Sequence, residues 1–385
     1  MVMNPDPRPR ERLIEFAARS ADRLTRPLSR TGPIEPGAVA RILVIKPCCL
    51  GDVLMATPAL RALHHAFPIA SIHVLTTEWC APALSGNPNI TSTFRYPDKM
   101  TTARYSLLAR RLRDRHYDLG ICLDRSPLVN GLLLLAGIPI RAGIDSSGRG
   151  IGLTHRVIPE PYLHETLLYL AVAESIGAES VGSEPEFHPS EKARTKANEL
   201  LAGLTDPIVV IHPGGAVNPG IQMLSKRWPA IMFGELASSL IEDYQASVVV
   251  IGAESDRESV QTTIDFTDGT VTNLSRRLSI DEVGAICERA QLYIGNDSGM
   301  SHLAAAVGSP TLTIFGPTSP EHYRPLGTNA VVCESAGTQH SRVQLDLRSW
   351  HARADAATDI SAVTVDEVLA ACVQSLGPPH EASRS

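Results

Sequence analysis

Residues 291–317 read QLYIGNDSGMSHLAAAVGSPTLTIFGP, and the parsing of this run sets the architecture of the chain. Leu292, Tyr293 and Ile294 form an apolar run that predicts the end of a buried strand. Gly295, Asn296, Asp297, Ser298 and Gly299 then make a tight polar turn bounded by glycine. From Met300 the spacing turns helical through Leu303, Ala304, Ala305, Ala306 and Val307. Gly308 stops the helix, Pro310 forbids its continuation, and residues 311–315 predict the next strand. Such a helix opens with backbone N–H groups that lack an intrahelical partner and point to the carboxyl end of the sheet. Those donors and the helix dipole favour an anion, phosphate above all. An ordinary capped helix, with Asp297 or Ser298 as the cap and His302 merely packed, fits the spacing equally well.

Upstream of this unit, residues 208–212 (IVVIH) predict a buried strand and residues 213–226 a long loop rich in glycine and proline. Helix 228–244, strand 247–251, helix 258–267 and strand 270–274 follow. Ser279 and Glu282 make a capping box for a helix that runs to Arg289. Residues 318–350 are loop-rich, and residues 364–376 predict a last amphipathic helix. The first half repeats the opening. Residues 41–46 (RILVIK) predict a strand and PCCLGD a loop. A helix comes next, which Thr57 and Pro58 can restart, then a strand at 71–75. Further elements are a strand at 119–123, an apolar helix at 128–137, a strand at 140–144 and a helix at 164–176. Residues 141–154, rich in glycine and serine, predict a mobile loop at the sheet edge. Residues 181–189 carry Pro185 and Pro189 and predict the inter-domain linker, with a helix at 191–204 beyond it. The expected fold class is α/β, with two halves built like nucleotide-binding domains. The expected boundaries are an arm at 1–40, a first domain at 41–185, a second at 190–350, and a terminal helix at 360–377.

The chain has 385 residues, 43% of them hydrophobic, which is enough for two separate cores. Its net charge of −6 and the absence of a basic block argue against nucleic acid as partner. Cys48, Cys49, Cys80, Cys122, Cys287, Cys333 and Cys372 show no C-x-x-C spacing and read as small hydrophobes in a reducing compartment, with no disulfide framework. No apolar run approaches the roughly 20 residues a membrane span needs, and the polar, proline-bearing amino terminus does not read as a signal peptide. A cytoplasmic protein is expected. Residues 10–28 can form a basic amphipathic helix. It would either lie on the inner face of an anionic membrane or dock on its own domain.

Several residues carry possible chemistry, each with a plainer alternative. Gly214 and Gly215 follow a strand end and let backbone approach a ligand closely. Lys226 and Arg227 precede a helix, where a lysine suits a diphosphate; solvated surface cations are the alternative. Glu254, after the strand at 247–251, is placed to accept from a ribose, or it is a surface acid. Asp52, after Gly51, sits at a strand–loop–helix junction where it would take a proton from a hydroxyl, or it is an N-cap. His164 and His302 are lone helix histidines, a type more often structural than catalytic. No Walker, nucleophile-elbow or zincin motif is present. There is no D-x-D pair, so a metal-bridged nucleotide diphosphate is not suggested; no cofactor is expected.

In combination, RILVIKPCCLGDVLMATPALRALHHAFP, VVIHPGG with SKRWP, and IGNDSGMSHLAAAVGSPTLTIFGPT resemble glycosyltransferase family 9, the heptosyltransferases, over roughly residues 41–330. The resemblance implies a GT-B fold: two facing Rossmann-like domains with parallel sheets and the active site in the cleft between them. It also implies an inverting, metal-independent transfer of heptose from an ADP-heptose-like donor, with the lipopolysaccharide core as acceptor. Asp52 would be the general base and Lys226 would face the donor phosphates. Gly299, Met300, Ser301 and His302 would present amides to the diphosphate, with Asp297 and Ser298 shaping the turn. Glu254 would hold the ribose, Gly214 and Gly215 would line the donor site, and Gly51 and His164 the acceptor side. The terminal helix would cross back onto the first domain. Met300-Ser301 stand where many members have Pro-Met, and the loop before Lys226 is longer than usual. Other readings are transfer to a small molecule or a protein, a sugar-nucleotide epimerase, and a non-catalytic sugar-nucleotide binder.

Overall fold

The computed structural model of the chain describes residues 16–17, 20–28, 33–146, 148–160, 163–218, 221–334 and 359–379. Strands β1 (Arg41–Ile45), β2 (Ser71–Thr76), β3 (Ser92–Arg95), β4 (Leu119–Cys122), β5 (Ile140–Ile144) and β6 (His155–Val157) form a parallel sheet in the order β3-β2-β1-β4-β5-β6. Strand β7 (Ile208–His212) opens the second half. In the loop after it, β8 (Val217–Asn218) and β9 (Ile221–Gln222) pair as a small antiparallel ribbon. Strands β10 (Ser247–Val250), β11 (Val271–Asn273), β12 (Leu292–Asn296), β13 (Thr311–Phe315) and β14 (Ala330–Glu334) complete a second parallel sheet in the order β11-β10-β7-β12-β13-β14. Counted from its own first strand, each sheet runs 3-2-1-4-5-6, the doubly wound order of dinucleotide-binding folds.

Every residue of β4, β7, β12 and β13 is buried. Covered on both faces, such strands read as continuous apolar runs. Between β1 and β2 the chain makes two helices, Leu50–Met55 and Thr57–Ala66, with Pro58 in the first turn of the second. The linker is pinned: Glu186 accepts from Arg61 at 2.6 Å and from Asn89 at 2.6 Å, and the Phe187 amide donates to the Ala306 carbonyl at 3.0 Å. Leu50, Val53 and Leu54 of the first half share one apolar cluster with Val210, Ile286 and Leu303 of the second, so the halves are joined through their cores.

Three expectations are corrected. The last helix, Val365–Leu376, does not cross to the first domain. It packs on helix Ala230–Tyr244 and on β14, with Val368 and Cys372 buried among Phe233, Leu236 and Leu240. Trp228 fixes its approach by donating through Nε1 to the Val363 carbonyl at 2.8 Å. Residues 141–146 and 148–154 are not a loose loop, because their polar groups bond to each other and to the core. Asn130 donates to the Ile144 and Arg149 carbonyls, the Gly150 amide donates to Asp145, and Arg141 donates to the Ile138 and Gly152 carbonyls. A Cβ on Gly152 would lie 2.7 Å from Leu134 Cβ, so that glycine serves close packing. Finally, Cys48 and Cys49 are bonded to each other. The bond joins neighbours and ties no separate elements together; Cys80, Cys122, Cys287, Cys333 and Cys372 are free and buried.

Of the amino-terminal arm, residues 20–28 dock on their own domain: buried Asp22 accepts from Arg156, and Thr25 accepts from the Gly152 amide at 2.9 Å. Residues 10–15 and 18–19 of the expected helix, and residues 335–350 of the loop-rich stretch, lie outside the described residues. Among the described residues no helix is long and apolar enough to cross a membrane.

Candidate functional site

The two sheets turn their strand carboxyl ends towards one cavity of about 330 Å³, within the size range of small-ligand pockets. Gly51 and Asp52 line it from the first domain. Gly215, Lys226 and the turn Asp297-Ser298-Gly299-Met300, with His302, line it from the second. Helix Leu50–Met55 and helix Gly299–Ala306 start against each other. A Cβ on Gly299 would lie 3.2 Å from the Gly51 nitrogen, and a Cβ on Gly51 would lie 2.8 Å from His302 Cδ2. Glycine at both positions lets the two backbones meet.

On the first side, Asp52 reaches the third position of its helix and is half-buried. Tyr169 donates its hydroxyl to Asp52 Oδ1 at 3.1 Å, Lys46 Nζ lies 3.4 Å from the same oxygen, and the Cys49 amide donates to Oδ2 at 3.4 Å. Burial pushes the Asp52 carboxyl up, but the Lys46 charge and these donors outweigh it and hold it below the usual carboxylate range. The opposite balance holds Lys46 up: burial lowers it, while Asp52, Asp124 and Glu165 outweigh that. His302 is buried and pushed down, so it stands neutral, and its Nδ1 has no hydrogen-bond partner among the described residues.

On the second side the turn is set by Asn296, which is fully buried. Its Nδ2 donates to the Pro213 and Gly214 carbonyls and its Oδ1 accepts from the Trp228 amide at 2.9 Å, tying the loops after β7 and before helix Ala230–Tyr244 to the end of β12. Ser298 occupies the N-cap of helix Gly299–Ala306 without a side-chain cap bond, so its hydroxyl leaves the first amides of that helix uncapped. Lys226 donates to Asp297 at 2.6 Å, and Thr318 donates to the same oxygen. An ammonium has three donors, so Lys226 has more to offer a ligand.

Asp256 organises the floor of the pocket. It accepts from the Gly215 amide at 3.0 Å, the Ala253 amide at 2.9 Å and Arg227 at 2.7 Å, with His212 Nε2 at 3.4 Å. Burial raises its carboxyl, but His212 and the amides outweigh that and hold it well below the usual range. Neither Asp256 nor Asn296, Lys46 or Tyr169 stands among the site residues expected from sequence. Only Lys46, a charge closing an apolar strand, gives a signal there.

The other expected residues are placed as follows. Gly214 is not a lining residue; a Cβ there would lie 2.2 Å from Asp256 Cγ, so its role is to let that carboxylate close on the loop. Ser301 is buried beneath the lining and donates to the Asn296 carbonyl at 2.7 Å. Glu254 stands outside the cavity, 70% exposed and paired with Arg276, while Ser255 and Asp256 reach the lining. His164 caps helix Glu165–Glu174: Nδ1 accepts from the Thr166 amide at 3.1 Å, which leaves the proton on Nε2, facing the Arg324 carbonyl at 2.9 Å. Burial pushes it down to about 4.

Comparison with known proteins points to one family. The family model described as glycosyltransferase family 9 (heptosyltransferase) matches residues 105–349. The chain is similar to lipopolysaccharide heptosyltransferase 2 of Escherichia coli strain K12, 28% identical over 311 residues, which is 76% of this chain and 87% of that protein. It is similar to lipopolysaccharide heptosyltransferase 3 of Escherichia coli, 26% identical over 338 residues, covering 83% and 96%. Among solved structures, a glycosyl transferase family 9 protein from Veillonella parvula superposes with a TM-score of 0.75 at 23% identity, covering 90% of this chain and 99% of that one. The E. coli ADP-heptose lps heptosyltransferase II superposes with a TM-score of 0.67 at 25% identity, covering 87% and 99%.

Proposed function

The chain belongs to glycosyltransferase family 9, the heptosyltransferases, and from that premise we propose that it moves a heptose from an ADP-heptose donor to a hydroxyl of the lipopolysaccharide core, with inversion and without a metal. The observation that carries this reading is the shared cavity: Asp52 of one domain and the uncapped start of helix Gly299–Ala306 of the other line the same space. The acceptor hydroxyl attacks the anomeric carbon on the face opposite the leaving group, and Asp52 takes its proton as the new C–O bond forms. The bond from the anomeric carbon to the phosphate oxygen breaks, and ADP leaves with the electron pair. Lys226 and the amides at Gly299 and Met300 meet the charge that gathers there. A single displacement inverts the centre and requires only one carboxylate at the sugar.

The names of the relatives, lipopolysaccharide heptosyltransferases 2 and 3, support the acceptor class. Such an acceptor is held at a membrane surface. Exposed Phe16, Leu24, Arg23 and Arg26 are the part of the arm that would meet it. The test is an assay of purified protein with ADP-heptose and other sugar nucleotides, each with and without a heptose-deficient core acceptor, in the presence of a chelator. Acceptor-dependent product with an inverted anomeric centre is expected. An altered free sugar nucleotide without acceptor would make the protein an epimerase, and donor binding without turnover would make it a binder.

A further inference from the structure

We propose that Lys46 and Tyr169 are positioning residues that keep Asp52 ionised and aim one of its two oxygens, Oδ2, at the acceptor hydroxyl. The inference rests on the reading of Asp52 as proton acceptor and adds which atom takes the proton and what prepares it. Strand β1 is apolar and buried from Ile42 to Ile45, and the next residue is a lysine that is only 7% exposed. Burying an ammonium is costly unless it is paired. Its partner is Asp52 Oδ1, and its charge also lies 5.4 Å from the centroid of the Tyr169 ring. Tyr169, 1% exposed, sends its hydroxyl to that same oxygen. Oδ1 therefore holds two donors. Oδ2 holds one long amide contact from Cys49 and keeps lone-pair capacity for a further hydrogen bond.

The other titratable groups around Asp52 do not replace this charge. Cys80 is pushed up to about 11 and Tyr323 well above its usual value, both by burial, while burial pushes His302 down; all three stand neutral. Around Lys46, Asp124 and Glu165 are negative and Arg125 positive, and Arg125 is itself paired with Glu165. Lys46 is thus the cation that offsets the burial of Asp52. Without it, burial is offset only by the Tyr169 and Cys49 donors, and the carboxyl rises.

The experiment is the pH profile of kcat/KM for wild type, Lys46→Met, Lys46→Arg and Tyr169→Phe, with donor Kd measured on each at pH 8. In wild type the acid limb lies at the low end of the range. In Lys46→Met it moves up by about one to three pH units, the size of a close opposite charge, while donor Kd stays within about twofold. Lys46→Arg restores most of the limb. Tyr169→Phe lowers kcat on the order of tenfold with donor KM unchanged, the scale of one lost hydrogen bond to a charged group. Should Lys46→Met fail to fold, the kcat of Tyr169→Phe still decides: a wild-type value overturns the positioning role. An unmoved acid limb in Lys46→Met and an unchanged kcat in Tyr169→Phe, with Asp52→Asn inactive, overturn the positioning role alone. Wild-type turnover in Asp52→Asn overturns the reading beneath it as well.

Discussion

The two domains share a strand order but equip it differently. In the first, the loop after β1 delivers a half-buried carboxylate fixed by a lysine and a tyrosine from other elements. In the second, the turn after β12 leaves the first amides of helix Gly299–Ala306 without a side-chain cap, and the loop after β7 is held by the buried side chains of Asn296 and Asp256. Both sites sit where strand order reverses, at the carboxyl ends of the strands, which is where such sheets hold ligands. The difference is one of chemistry: in the proposed reaction the first domain supplies the proton acceptor and the second the anion cradle. The same scaffold does either job, depending on whether side chains or main-chain groups face the cleft.

That contrast can be broken one side at a time. The largest effect is expected from Gly214→Val. Its Cβ would fall 2.2 Å from Asp256 Cγ and force the loop off its carboxylate. Donor binding should be lost in a calorimetric titration while the protein remains folded by circular dichroism. Lys226→Ala should come next, raising donor Kd by about 10- to 100-fold, the worth of one charge-assisted hydrogen bond. The buried Asp297 carboxylate, freed of its cation, would repel the diphosphate, so kcat should change less than Kd. Smallest is His164→Gln, which tests the capping role. With the folded value near 4 and the unfolded value near 6.5, the unfolded chain binds the extra proton between those limits. Stability therefore falls as pH drops from about 6.5 to about 4. The variant should flatten that fall by at most about 1.4 kcal/mol per pH unit, read from urea midpoints.

Much of the fold was legible because central strands of a parallel sheet are apolar on both faces. IVVIH and RILVI announce themselves, and the glycine-bounded turn at Gly295–Gly299 announces the helix after it. Of the four edge strands only β11 did. β3 (STFR) and β6 (HRV) are short and half-buried, so their sequences resemble loops, and the apolar run of β14 (AVVCE) lies within a loop-rich stretch. The docking of helix Val365–Leu376 was hidden for another reason: an amphipathic stripe says that a helix packs, not against what. At the site, residues on the main-chain path of a motif line the cavity, namely Asp52, Lys226, the turn at 297–300 and His302. Those acting from a distance were missed. Tyr169 is 117 residues from Asp52 along the chain, and Asp256 is 41 from Gly215. Glu254 is exposed, and Asp256, two residues on, points inward. At a strand end, which carboxylate turns into the fold depends on the short helix that follows, Glu254–Asp256.

One paired measurement bears on the central claim, that a proton acceptor and an anion cradle from opposite domains serve one reaction. Asp52→Asn is compared with wild type for donor Kd by calorimetry and for single-turnover transfer to a core acceptor. The account predicts an unchanged Kd and a rate lower by about 10²- to 10⁴-fold, the contribution of a general base. Transfer at the wild-type rate, or a loss of donor binding that accounts for the whole defect, would contradict it.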